Sequence, residues 1–216
     1  MKQPIHKLYK YPRSLHLPNS QGITSDDKVL SQDIVDSWNW EVVISEKRDG
    51  ENFSLYSDYF HARSLNFEPH PSRNRIAALH SRIAYQIPTN FRICGENLTA
   101  VHSIKYCNLK EIFEVFGIWN EEQCLSWDDT VIFANLLNLP TVPILYQGIW
   151  GESVAKSIVE TLDTSKQEGF VVRPTRAFYL NEFNSVVGKW VRHNHVISTS
   201  HWIRQKIEYN ELSSVL

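Results

Sequence analysis

The sequence predicts an α+β fold of largely antiparallel sheets with helices packed on their outer faces. Three observations lead there. Short runs of branched and aromatic residues recur along the chain ("EVVI", "FRICGENL", "EIFEVFGIW", "EGFVVRP", "SVVGKWVR") and read as strands. Three stretches of helical character are interspersed among them. The order of the two lacks the strict β-α-β alternation that builds a parallel sheet. With 216 residues, 42% hydrophobic and 21% charged, the chain can bury a sizeable core without staples, as one domain or one plus a small appendage.

Taken in order, residues 1–37 are polar and broken by Pro4, Pro12 and Pro18, so no helix is expected there. Residues 41–56, "EVVISEKRDGENFSLY", read as strand, turn and strand: a hairpin that breaks at Asp49-Gly50, after which Phe53 and Leu55 alternate with Asn52 and Ser54. Ile76, Leu79, Ile83 and Ile87 recur near helical spacing and predict a helix over 73–87, with Ser72 as its cap. Strands are expected at 91–98 and 111–119. "SWDDTVIFANLLNL" predicts a second helix, because Ser126 and Asp129 form a capping-box pattern and Pro140 marks its end. A third helix is expected at 152–162, and late strands at 168–174 and 185–192. The last 24 residues (193–216) predict a short closing helix whose apolar side is Trp202, Ile203 and Ile207.

Composition excludes several classes. Cys94, Cys107 and Cys124 are odd in number and lack CxxC spacing, which argues against a disulfide framework or a cysteine-rich zinc site. The start "MKQPIHKLYKYPRS" has no apolar signal region, and no apolar run is long enough to cross a bilayer. A reduced cytoplasmic location is expected, so the N-x-S/T matches at Asn52 and Asn97 are not read as glycosylation sites. A formal net charge of −2 argues against a general nucleic-acid coat. It leaves room for local basic patches such as Arg63, Arg73, Arg75 and Arg82, or Lys189, Arg192, Arg204 and Lys206, which are equally readable as solvated faces.

The stretch "SEKRDGEN" (45–52) carries the chemistry. A free lysine titrates near 10.4, so it is a poor nucleophile at neutral pH unless burial or a neighbouring cation destabilises its charged form. Lys47 has an apolar strand behind it and Arg48 beside it, an arrangement expected to lower its pKa. Gly50 is expected to turn with positive φ and to let a ligand come close. Asp49 and Glu51 are open between holding the lysine, orienting a metal and doing neither. Taken alone, the eight residues are equally a charged turn.

Further along, "ARS" (62–64), "CGENL" (94–98), "FEVFGIW" (113–119), "EGFVVR" (168–173) and "GKWVR" (188–192) follow "KRDG" (47–50) in order. Together they resemble the motifs of the covalent nucleotidyltransferases, the ATP-dependent DNA and RNA ligases and mRNA capping enzymes. The asparagine five residues after the lysine, the "FEVFG" strand and the leader "KYPRSLHLP" (10–18) most resemble small phage and bacterial RNA ligases of the T4 RNA ligase 2 type.

The resemblance implies an ATP-grasp-like ligase domain over 1–192, with a leader in 1–40 and 193–216 as a closing segment. That segment is expected to be too short for an OB-fold. It implies an ATP-dependent RNA ligase that forms a lysyl-AMP intermediate with a divalent cation, Mg²⁺ or Mn²⁺. Its substrates would be RNA 5′-phosphate and 3′-hydroxyl ends, with a repair partner protein as a further possibility and no membrane. By the same resemblance, Lys47 is the nucleophile and Glu46 contacts the adenine edge. Asn52 and Arg63 reach the ribose or a phosphate, Glu96 takes the ribose hydroxyls and Phe116 stacks on the purine. Glu168 holds the metal and Lys189 neutralises the α-phosphate. Two positions depart from the pattern. Val187 stands where many relatives have a first lysine of K-x-K, a loss for which Arg192 is a possible compensation, and Gly117 replaces an acid found in some RNA ligases. A His193/His195 metal pair lacks third and fourth ligands. DNA nick sealing, GTP-dependent capping and a partner-dependent repair subunit without autonomous sealing are the competing readings.

Overall fold

The computed structural model describes residues 7–65, 70–193 and 206–213. Eleven strands form two sheets. The first sheet holds β1 (Leu15–His16), β2 (Glu41–Glu46), β8 (Ile144–Ile149), β9 (Gly169–Pro174) and β11 (Gly188–Val191), in the order β1-β11-β9-β2-β8. The second holds β3 (Glu51–Leu55), β4 (Phe60–Ala62), β5 (Phe91–Asn97), β6 (Phe113–Asn120), β7 (Gln123–Cys124) and β10 (Phe178–Tyr179), in the order β10-β7-β6-β5-β3-β4. Every pairing between these strands is antiparallel except β1 with β11. The α+β class and the predominantly antiparallel sheets are as the sequence predicts.

Helices cover the outer faces. α2 (Asn74–Ile83) and α3 (Trp127–Leu136) pack on the second sheet, where Ile76, Leu79 and Ile83 meet Phe53, Leu55, Ile93 and Val115. α4 (Glu152–Thr161) and α1 (Gln32–Asp36) cover the first sheet through Ile158, Ala155 and Val35 against Val42, Ile44, Phe170 and Trp190. Between the sheets lies a third layer, in which Phe116, Cys94 and Trp119 of the second sheet face Val43 and Val171 of the first. Val42, Val43 and Ile44 are all buried because β2 has strands on both edges and cores on both faces.

Several expectations give way. β2 and β3 are not a hairpin: β2 pairs with β8 and β9, β3 with β4 and β5, and Lys47–Gly50 carry the chain from one sheet to the other. The leader contributes β1 and α1, since Leu17 and Leu30 reach the core beside Trp38 and Trp190. Ser72 falls in a 3₁₀ turn (Pro71–Arg73) before α2 instead of capping it. The segment 185–192 starts in helix: Ser185 and Val186 end α5 (Phe183–Val186), and the strand β11 begins only at Gly188. β8 escaped notice because an edge strand exposed along much of its length shows no clean apolar alternation. The expected closing helix falls partly on 194–205, outside the described residues. Over 206–213 the chain is extended, bridging Tyr209 to Ala100 and Leu212 to Leu109, with buried Asn210 accepting from Tyr106 N–H and donating to the Leu98 and Ala100 carbonyls.

Two glycines are fixed by geometry. Gly50 does not have positive φ; it is required because a Cβ would sit 2.6 Å from the Asn97 carbonyl oxygen. Gly169 has φ +155° and a Cβ there would fall 2.0 Å from the Trp190 carbonyl oxygen. Gly169→Ala is therefore expected to cost about 3 kcal/mol or more of stability. Gly117→Ala, whose Cβ would meet nothing nearer than 3.6 Å, should change stability far less. Urea unfolding of the two variants checks the contrast.

Candidate active site

A cavity of about 310 Å³ opens between the sheets where Lys47–Gly50 cross from one to the other. Glu46, Lys47, Asn52, Arg63, Glu96, Phe116 and Lys189 all line it, and Glu168 reaches it through Lys47. Residues spread from 46 to 189 thus converge on one space.

The crossing segment is held at each residue. Lys47 N–H donates to the Gly169 carbonyl at 2.8 Å, and Lys47 Nζ to Glu168 Oε2 at 2.6 Å. Arg48 turns away from the lysine. Its Nε and Nη2 take both oxygens of Glu114 at 2.6 and 2.8 Å, Nη1 donates to Glu46 at 2.7 Å, and the guanidinium lies over the Tyr106 ring. Asp49 Oδ2 accepts from Ser103 N–H, Ser103 hydroxyl and Ile104 N–H at 2.7–2.8 Å, while Asp49 N–H donates to the Tyr106 hydroxyl. Asp49 is thus an anchor for the 103–106 loop, and Glu51 pairs with Arg73.

The electrostatics correct one expectation. Burial alone would lower the Lys47 amine, but the carboxylates of Glu168, Glu96 and Asp49 outweigh it and raise the pKa above the ordinary lysine value. Arg48 does not act on the amine as a nearby free cation, because Glu114 and Glu46 absorb its charge. Lys189 behaves in the opposite way. Burial and then the neighbouring Lys47 lower it, and Asp27, 3.9 Å away, offsets this only in part. Glu96 is pushed up to about 8, first by burial and then by Glu168 and Asp49, against the pull of Lys47.

The walls suit a nucleotide. β5 and β6 shift register between Cys94 and Gly95: Cys94 faces Gly117 and Gly95 faces Val115, so Phe116 is the bulged residue, turned into the cavity. Arg173 Nη1 holds the Phe116 carbonyl, and the Tyr11 ring meets Phe116 edge-on at 5.0 Å. Asn52 lies directly across from Glu96, and its buried Oδ1 has no hydrogen-bond partner among the described residues. Arg63 Nε donates to the Tyr11 carbonyl, and Arg63 lies close enough to Arg13 for the two cations to repel. Val187 is buried in the wall; Arg13 and Arg173 are further cations of the same lining, whereas Arg192 is not among the lining residues. Sequence reading gave no role to Tyr11, Arg13, Asp27, Glu114, Gln167 and Arg173, although the motif stretches 10–18, 113–119 and 168–173 contain four of them.

A family model of RNA ligases matches residues 40–191, most of the chain and every residue lining this cavity except Tyr11, Pro12, Arg13, Ser14 and Asp27. The chain belongs to the RNA ligase family. No curated protein matches it in sequence. Its fold is similar to that of an archaeal ATP-dependent RNA ligase (TM-score 0.58, 16% identity, 85% of this chain and 48% of that one). It is also similar to a putative ATP-dependent DNA ligase from Aquifex aeolicus (0.56, 19%, 85% and 50%). The third is the Naegleria gruberi RNA ligase solved with PPi (0.56, 17%, 88% and 60%). The chain spans about half the length of the first of these structures.

Two outcomes follow from the geometry. Arg48→Ala leaves the buried Glu46 and Glu114 carboxylates uncompensated and should destabilise the protein by about 3–5 kcal/mol, with Arg48→Lys intermediate because it keeps the charge and loses the fork; thermal unfolding measures both. Glu96, raised from 4.5 to about 8, is protonated in the folded protein across a range where the unfolded chain is ionised. The folded state then binds the extra proton, so this contribution to stability is present below pH 4.5 and lost as pH rises through 8. Glu96→Gln should therefore gain stability relative to the parent as pH rises from 5 to 9 without divalent cations, and a pH-independent difference would contradict the shift.

Proposed function

We propose that the protein is an ATP-dependent RNA ligase that joins an RNA 5′-phosphate to a 3′-hydroxyl through a lysyl-AMP intermediate. The observation that carries this reading is the meeting of Lys47, Lys189 and Glu168 at one cavity: an amine, a second cation and a proton acceptor around a space of nucleotide size. The RNA ligase family supports RNA as the substrate class. The asparagine and "FEVFG" features support the narrower T4 RNA ligase 2 type.

The reaction is three in-line displacements at phosphorus, for which the protein chiefly positions groups and stabilises charge. Lys47 begins as an ammonium paired with Glu168, so a proton leaves before attack, and Glu168 is the group placed to take it. The free amine attacks the α-phosphate of ATP; the N–P bond forms, the bond to the leaving oxygen breaks and pyrophosphate departs. An RNA 5′-phosphate oxygen then displaces Lys47 from AMP, and a 3′-hydroxyl displaces AMP to seal the strand. Lys189, Arg63 and Arg13 offset the phosphate charge. Glu96 and the unpaired Asn52 Oδ1 accept ribose hydroxyls. Phe116 stacks on the purine with Val171 opposite, and Glu46, held by Arg48 and Gln167, presents a carboxylate to the adenine edge.

Glu96 and Glu168 fit a divalent cation, because both are oxygen donors and lie near enough that, after burial, Glu168 adds to the rise of Glu96. Among the described residues no cluster of three His, Cys, Asp or Glu side chains could hold a metal, so Glu96 and Glu168 would hold the cation only together with oxygens of the nucleotide or water. A bound Mg²⁺ or Mn²⁺ supplies positive charge to the phosphates; a variant of the Naegleria gruberi RNA ligase was solved with ATP and Mn. Among the described residues no helix is long and apolar enough to cross a membrane, which fits a cytoplasmic repair enzyme with or without a protein partner.

Incubation with ATP labelled at the α-phosphate tests the reading. A covalent adduct is expected that is absent in Lys47→Ala and formed about 10²–10³-fold more slowly in Lys189→Ala. No adduct with any divalent cation would sink it. Labelling by GTP in place of ATP would favour capping, and adduct without sealing of 5′-phosphorylated RNA would favour a partner-dependent subunit or DNA ends.

A further inference from the structure

A second cavity of about 310 Å³ lies near the start of β5, lined by Lys7, Tyr9, Tyr56, Asn90, Arg92 and Glu121 among others. Arg92 is its unusual member. The residue is 1% exposed, and its guanidinium is sandwiched between the Tyr9 ring at 5.0 Å and the Trp119 ring at 4.8 Å. Nη1 donates to the Tyr9 carbonyl at 3.0 Å, but Nε and Nη2 are buried with no well-aligned hydrogen-bond partner among the described residues.

Nε and Nη2 form the side-on fork of a guanidinium, the edge that matches two oxygens of one carboxylate or phosphate. The same chain shows what that edge takes when a partner is supplied. Arg48 places Nε and Nη2 on Glu114, and Arg73 places them on Glu51. At Arg92 no carboxylate among the described residues is paired with the fork. The Tyr56 hydroxyl is within reach, and Arg92 opposes the burial-driven rise in its pKa by its charge and by a side-chain hydrogen bond, but a neutral phenol does not cancel the guanidinium charge. A buried cation without a counter-charge is costly, and the usual remedy is a paired anion.

We propose that this cavity is a second anion site, in which the Arg92 fork receives a phosphate group and the ammonium of Lys7 meets it at the rim. Lys7 is largely exposed, its pairing with Glu122 is long at 3.4 Å, and its ammonium already lies 4.6 Å from the centroid of the Tyr9 ring that covers Arg92. Glu121 is the acidic residue of the lining, held at φ +51° where its N–H reaches the Asn90 carbonyl. Its carboxylate at the rim limits affinity and favours an anion drawn from a polyanion or present at high concentration. Arg92 and Glu96 lie on one face of β5, so the fork is about 13 Å along the strand from the candidate active site. The leader joins the two places, with Tyr9 over Arg92 and Tyr11 against Phe116. That position suits a backbone phosphate of a strand whose end enters the active site; free phosphate has the same chemistry. Only the RNA source rests on the proposed sealing activity.

Thermal unfolding of the full chain in sodium phosphate, against sodium chloride of equal ionic strength, tests the site itself. Arg92→Met should keep or exceed the parent's stability without phosphate and lose the phosphate-dependent gain, with affinity at least about tenfold weaker. Arg92→Lys, which keeps the charge and loses the fork, should weaken the gain even if the methionine variant fails to fold. Glu121→Gln should strengthen it. A short 5′-phosphorylated RNA then identifies the source. If its affinity falls about tenfold in Arg92→Lys and the salt slope drops by about one, with ATP labelling unchanged, the ligand is a strand phosphate. If only the inorganic phosphate response falls, the ligand is free phosphate. A phosphate response equal in the parent and both Arg92 variants, or none in the parent beyond chloride, overturns the proposal.

Discussion

Arg48 is the tie on which the site depends. The two sheets are joined at the cavity by a four-residue crossing, and this guanidinium binds the crossing to both sides: Glu46 at the end of β2 in one sheet, Glu114 on β6 in the other. Both carboxylates are buried, so the three groups are stable only together. Asp49 adds a second anchor through the 103–104 amides, and Gly50 passes against the Asn97 carbonyl where no side chain fits. A nucleophile on an exposed hairpin would sample many positions. Here Lys47 is held from both neighbouring residues and from its own backbone.

With the crossing fixed, the charge balance follows. Glu168, Glu96 and Asp49 outweigh burial at Lys47 and raise its pKa, while burial and then the neighbouring Lys47 lower Lys189. The site therefore stores its nucleophile as an ion pair with Glu168, with the carboxyl groups of Glu96 and Asp49 close by. Such a site has more oxygen donors than its own lysine can neutralise. A divalent cation and a polyphosphate entering together would redress both sides of that imbalance, the cation meeting Glu96 and Glu168 and the phosphates meeting Lys189, Arg63 and Arg13.

The leader has a larger role than its composition implies. It supplies β1 beside Lys189, Asp27 against the Lys189 amine, and Tyr11 and Arg13 in the cavity wall. Its earlier residues cover Arg92, whose open fork is a second place where positive charge waits for an anion.

Much of this was legible in the chain. The helical period of Ile76, Leu79 and Ile83 marked α2, because a helix on one sheet face shows its buried stripe directly. The Ser126–Asp129 pair marked the start of α3, and Lys47, Glu96, Phe116, Glu168 and Lys189 were found by motif order before any of them could be seen to meet. What the sequence could not decide was partnership. Strand, turn and strand at 41–56 is compatible with a hairpin or a crossing, and only the competition of β8, β9, β4 and β5 for the two edges settled it. The same limit applies to charge. Arg48 beside Lys47 in sequence reads as a cation that lowers the amine, yet side chains of adjacent residues diverge at a crossing, and Glu114, far along the chain, takes the guanidinium. Local chemistry and order are properties of the sequence; which strands pair, which acid meets which base, and so which way each pKa moves, are set by contacts between distant residues and belong to the tertiary structure alone.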